Sequence, residues 1–145
     1  MLIDAEEIKD YHEHQVEDGH NTVYIAKYKE ISVIIKSIII TPGNQNAIKR
    51  ELEVLSSIHH DNIVEFIGYF FYNNTINLVT KKAKYTLSEY LKKHPNLSLK
   101  EKGYILYSIA YAISFLQSKH IIHNDLKVLS LSILLFFLVN EYSLG

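Results

Sequence analysis

Asp125 and Lys127 stand on either side of one leucine, just after His123, in the run Ile121-Ile122-His123-Asn124-Asp125-Leu126-Lys127. That layout suits a short loop in which a carboxylate takes a proton from a hydroxyl while an ammonium nearby stabilises phosphate charge. Two further charged residues lie upstream in a matching order: Lys36 inside a β-rich run, and Glu51 within a helical pattern. A lysine on a strand shares its face with positions i−2 and i+2, here Ile34 and Ile38, so the stem of Lys36 lies among apolar groups. A partly buried ammonium needs an anionic partner, because an uncompensated buried charge costs about 3–5 kcal/mol. A lone lysine of this kind is more often a snorkelling side chain on an edge strand. The helix that follows at once, carrying Glu51 with Glu53 as the competing carboxylate, tips the balance.

The elements that must position these groups are legible in the residue pattern. Val23 to Tyr28 and Ile31 to Ile40 are rich in β-branched and aromatic residues and, with Lys29-Glu30 between them, form a hairpin pattern. A preceding strand near Glu13 to Glu17 is weakly signalled. Thr41-Pro42-Gly43-Asn44 breaks the run, with Asn44 placed to cap a helix from Gln45 to Ile58 whose stripe is Ile48, Leu52, Leu55 and Ile58. Ile63 to Phe71 and Ile76 to Thr80 complete the strands, joined by a turn at Tyr72-Asn73-Asn74-Thr75. The chain then turns helical. Thr86-Leu87-Ser88-Glu89 and Ser98-Leu99-Lys100-Glu101 are capping-box patterns, the second opening a long helix to Ser118 expected to bury Leu106, Ile109, Ile113 and Leu116. Strands first and helices later indicate an α+β fold with segregated layers.

Composition narrows the function. With 48% hydrophobic and 21% charged residues the chain can build a core. A net charge of −1 gives no basic field for nucleic acid. Cysteine is absent, which removes disulfides, thiolate catalysis and Cys-type zinc sites. Three close histidine pairs, His12/His14, His59/His60 and His120/His123, lack a third ligand at metal-site spacing, so no metal site is read from them. The apolar run Val128 to Val139 is 12 residues long, against the roughly 20 a membrane-spanning helix needs. It is expected to offer a surface for association. The acidic start, Met1 to Tyr11, has no apolar signal-peptide core, so a cytoplasmic setting is expected.

Taken in order, Ser32-Val33-Ile34-Ile35-Lys36, Ile48-Lys49-Arg50-Glu51, His60-Asp61-Asn62-Ile63-Val64 and His123-Asn124-Asp125-Leu126-Lys127 resemble the protein kinase domain over roughly Val16 to Leu135. The resemblance implies a protein-kinase-like fold across residues 1–145. About 11–81 would be an antiparallel five-stranded small lobe and hinge, and 82–145 the start of a helical large lobe, cut short after the catalytic loop. It implies that Lys36 pairs with Glu51 and holds ATP phosphates, that Asp125 orients and deprotonates the substrate hydroxyl, and that Lys127 neutralises the transferred phosphoryl. Val23, at the last position of the glycine-loop pattern, would be among the cofactor-binding residues, Thr80 would guard the back of the adenine pocket, and the backbone of Lys81 to Ala83 would bind the adenine edge. ATP and Mg²⁺ are the implied cofactors, and protein Ser/Thr or Tyr hydroxyls, or a protein partner, the implied targets.

The pattern also departs from the family. The glycine positions of the phosphate loop hold Val16, Asp18 and Asn21, with Gly19 out of register, so close backbone approach to phosphate is lost and Asp18 brings negative charge. Asn124 replaces the usual arginine. Ser130 or Ser132 stands where a magnesium-binding Asn is usual, and Asp-Phe-Gly occurs nowhere. Little or no turnover is therefore expected of these residues alone, and a pseudokinase-type binding module or an inert fragment is the rival reading.

Overall fold

The computed structural model describes residues 1–14, 22–85 and 87–121. They divide into two compact units: Met1–Ile58 with Glu65–Lys82, and His59–Val64 with the residues from Ala83 onward.

The first unit is a five-stranded antiparallel sheet in the order β1-β2-β3-β5-β4, with β1 Ile8–His14, β2 Thr22–Tyr28, β3 Ile31–Ile39, β4 Phe66–Tyr72 and β5 Thr75–Lys81. Two tight turns set its register. Lys29 and Glu30 (φ 46° and 66°) join β2 to β3, and Asn73 and Asn74 (φ 43° and 58°) join β4 to β5. Two successive left-handed residues match the twist of the strands they connect, and asparagine accepts that conformation more readily than most side chains. Helix α1, Gln45–Ser57, follows β3 and buries Leu55, with Ile58 buried just beyond it.

Residues on alternate positions serve different layers. Ala26, Tyr28, Val33, Ile35, Phe70 and Val79 share one face and form a core with Ile3 and Ile8. The segment before β1 reaches this core by crossing the sheet. Leu2 bridges in parallel to Tyr69 on the β4 edge. A 3-10 turn, Ala5–Glu7, then leads to β1 at the opposite edge, its N–H groups capped by Asp4, whose carboxylate accepts from the Glu6 N–H at 2.9 Å.

Several expectations from sequence are corrected. The first strand is described over Ile8–His14 and so starts well before the expected Glu13; the remainder of the expected span, 15–17, lies outside the described residues. Asp10 has a φ of 56° and the pairing with β2 shifts between Lys9 and His12, so a bulge erases the alternation that would have marked it. Asn44 precedes α1 but makes no side-chain cap; its carbonyl accepts from the Thr41 N–H at 2.8 Å and its amide donates to the Ile39 oxygen at 2.8 Å, closing the Thr41–Asn44 turn instead. The fourth strand starts at Phe66, because Ile63 packs on Ala112 in the helical unit.

The second unit holds α2, Leu87–Lys93, and α3, Leu99–Ser118. Ser98 and Glu101 form a reciprocal capping box at the start of α3: the Glu101 N–H donates to Ser98 Oγ at 3.2 Å and the Ser98 N–H to Glu101 Oε2 at 2.7 Å. The buried stripe of α3 is Ser108, Ala112 and Leu116, flanked by Ile105 and Ile109. Leu106 is 67% exposed rather than buried, since it lies one position, about 100° of helix, from Ile105. Among the described residues no helix is long and apolar enough to cross a membrane. Thr86, the segment 15–21 and residues 122–145 lie outside the description, and with them the first capping box and the Val128 to Val139 run.

Candidate functional site

The face of the sheet opposite the Ile3 core carries the candidate groups. Val23 on β2 stands directly across from Lys36 on β3, and Lys36 across from Leu78 on β5. One step along, Ile25, Ile34 and Thr80 make a second row, with Thr80 also opposite Phe66. Lys36 thus emerges between a β-branched residue and a buried leucine, with both of its direct cross-strand partners apolar. The sequence pattern does not single out Leu78, although period-two spacing from Thr80 carries it onto the same face.

Lys36 meets its partner from α1. Its Nζ donates to Glu51 Oε1 at 3.4 Å, with the lysine side chain 29% exposed and the glutamate side chain 8%. Glu53 is exposed, so the choice between the two carboxylates falls on Glu51. Burial pushes the Glu51 carboxyl above its ordinary range, and the Lys36 charge and hydrogen bond pull it back without cancelling the rise. The distance explains the incomplete offset, because tight charge-assisted bonds run at about 2.7–2.9 Å. The pair is a polarised contact that costs desolvation.

At the end of β5, Lys81 pairs with Val33 and is exposed, its N–H donating to the Glu65 oxygen at 2.9 Å. The Lys82 N–H donates to the Ser32 oxygen at 2.9 Å. Both donors are spent within the sheet unit. Ala83, assigned to the helical unit, is buried. His60 belongs to the helical unit as well, its ring 4.9 Å from Tyr111 and 4.7 Å from Phe115, while its Nδ1 accepts from the Asn62 N–H at 3.0 Å. That packing gives one member of the His59/His60 pair a structural role. Among the described residues no three metal-ligating side chains come together. Asp125, Lys127, Asn124, Ser130, Ser132 and His123, and the loop positions Val16, Asp18, Gly19 and Asn21, lie outside the described residues.

A five-stranded antiparallel sheet whose third strand offers a lysine to a carboxylate on the single following helix defines a kinase-type small lobe. The family model for protein tyrosine and serine/threonine kinases matches residues 11–131, so the chain belongs to that family. It is 30% identical over 112 residues to the Aurora kinase of Schizosaccharomyces pombe, covering 72% of this chain and 32% of that protein. To mouse Aurora kinase C it is 29% identical over 112 residues, 72% of this chain and 41% of the relative. To the serine/threonine-protein kinase Aurora-1 of Arabidopsis thaliana it is 30% identical over 116 residues, 75% and 39%. The chain therefore spans about a third to two fifths of the length of these relatives.

Proposed function

We propose that these residues form the nucleotide-holding part of an ATP-dependent protein kinase acting on serine or threonine hydroxyls. The Lys36–Glu51 contact carries the reading. Its 3.4 Å length and the partial exposure of Lys36 leave the ammonium able to turn from the carboxylate towards an α- or β-phosphate oxygen. Val23 and Leu78 on either side of Lys36 supply apolar surface for a base, and Thr80 limits its depth. The backbone of the Lys81 to Ala83 segment is the proposed site for the adenine edge, although the Lys81 and Lys82 N–H groups donate within the sheet unit. Asp125 is the proposed proton acceptor and Lys127 the proposed partner of the transferred phosphoryl. Mg²⁺ would supply neutralisation of phosphate charge; among the described residues no three metal-ligating side chains come together to hold it, and Asp-Phe-Gly is absent from the sequence. These 145 residues alone are accordingly expected to hold nucleotide weakly and to turn over little. A cytoplasmic setting, where Mg·ATP and protein substrates are abundant, fits this reading.

The second reading, a pseudokinase-type module that works by binding, is favoured by Val16, Asp18 and Asn21 at the three glycine positions. Thermal shift with Mg·ATP on the chain and on Lys36→Ala separates the two. A shift lost in the variant supports a working nucleotide site, and no shift in either favours the binding module. Radiolabel transfer from ATP to a generic protein substrate, compared with Asp125→Ala, then tests catalysis.

A further inference from the structure

The stretch before β1 is attached to the sheet differently from everything else in the first unit. Among the described residues, the backbone hydrogen bonds of Met1 to Ile3 to the β4 edge go through one residue: the Tyr69 N–H donates to the Met1 oxygen at 3.0 Å, and the Ile3 N–H donates to the Tyr69 oxygen at 2.9 Å. One side chain, Ile3, anchors it in the core at 6% exposure, with Ala5 partly buried behind it. Leu2 and Met1 remain exposed. At the far end Glu7 meets Lys29 at 3.5 Å, an exposed pair of complementary sign. One bridge residue, one aliphatic anchor and one surface ion pair are the contacts of a bound peptide, not of an integrated strand.

Gly68 is the second, independent observation. A Cβ built there falls inside the Met1 carbonyl oxygen and lies 2.9 Å from Ile3 Cγ2. Phe70 and Ile67 pack into the same core with large side chains, so the glycine leaves a notch between them in the face that receives Ile3. The notch serves no turn, since Gly68 has no positive φ. Its fit is to the backbone and the aliphatic side chain lying over it.

We propose that the β4 edge and the Gly68 notch form a docking site for an extended peptide with an aliphatic anchor followed by acidic residues, filled in cis by Met1–Glu7 acting as a dissociable strap. When the strap leaves, Tyr69 offers an unpaired N–H and carbonyl for strand addition, and Phe70, Val79 and Ile35 become an apolar floor. The site lies on the face opposite Lys36 and does not depend on nucleotide binding.

Amide hydrogen exchange on the full chain tests this. In the wild type the Tyr69 and Ile3 amides should exchange at least tenfold faster than the Leu55 amide of α1, as expected for local opening. Ile3→Asp should speed Tyr69 exchange a further tenfold while leaving Leu55 within twofold. A synthetic peptide of residues 1–8 should restore protection of Tyr69 in that variant, and a scrambled peptide should not. Gly68→Val should expose Tyr69 equally but resist rescue. If Gly68→Val does not fold, the Ile3→Asp arm decides alone. Failure of the peptide to protect Tyr69 in Ile3→Asp, equal protection by the scrambled peptide, rescue of Gly68→Val, or wild-type exchange of Tyr69 at the rate of Leu55 overturns the proposal.

Discussion

Removing the charge of Lys36 as Met, which keeps the length of the stem, leaves the almost fully covered Glu51 carboxyl without its counter-charge. Two unit charges 3.4 Å apart attract by about 5 kcal/mol at an effective dielectric of 20 and about 1.2 kcal/mol in bulk water. Lys36 is 29% exposed and Glu51 8%, so the coupling sits between these limits, at about 2 kcal/mol. Because burial already outweighs the lysine in setting the Glu51 carboxyl, Glu51→Gln should be no less stable than wild type. Lys36→Met should be the least stable, and the double variant should recover. The sign with pH follows from the raised Glu51 value. This group favours the folded state fully below its ordinary unfolded pKa, and that contribution is lost as pH rises through the higher folded value. Near about pH 4 Glu51 is increasingly protonated in wild type and Lys36→Met alike, so the coupling should shrink towards zero. Urea unfolding of the four proteins at neutral and acidic pH measures it. A coupling below about 0.5 kcal/mol at neutral pH, or one unchanged by acid, refutes the argument that this contact is a desolvated ion pair.

Three other outcomes follow from single features. Ile35→Ala removes a fully buried β3 side chain and should cost about 2–5 kcal/mol in urea unfolding. Glu30→Gly relieves a left-handed residue at an exposed turn and should stabilise by about 0.5–1 kcal/mol, read as a higher urea midpoint with unchanged slope. The Ser98 hydroxyl and backbone N–H hold the Glu101 carboxyl below its usual range, so its contribution is present above the ordinary value and lost as pH falls through the lowered one. Helicity of α3 should therefore drop in acid, and Ser98→Ala, which should cost about 1 kcal/mol at neutral pH, should remove much of that sensitivity; equal acid loss of helicity in both proteins counts against the capping box.

Local chemistry made β2, β3, β5, α1 and α3 readable as elements, because each is a β-branched or apolar run bounded by turn or capping residues. The Ser98 capping box is the clearest case: both partners lie within four residues, and no distant group is needed. The start of the first strand is not legible because a bulge at Asp10 breaks its alternation, and that Leu106 falls outside the core is not legible because a mostly apolar helix does not reveal which stripe its neighbours cover.

The order of lysine strand, glutamate helix and catalytic-loop motif is a property of the chain, and it sufficed to place the protein among the kinases. Motif spacing already favours Glu51 over Glu53, whereas the flanking of Lys36 by Val23 and Leu78 was settled by strand register, which depends on pairings many residues apart. The crossing of the sheet by Met1–Glu7 had no local signal at all. It exists because Gly68, more than sixty residues away in sequence, leaves room for the Met1 carbonyl and the Ile3 side chain. Short-range propensity fixes what each segment becomes; only the folded chain brings such a notch beneath the segment that fills it.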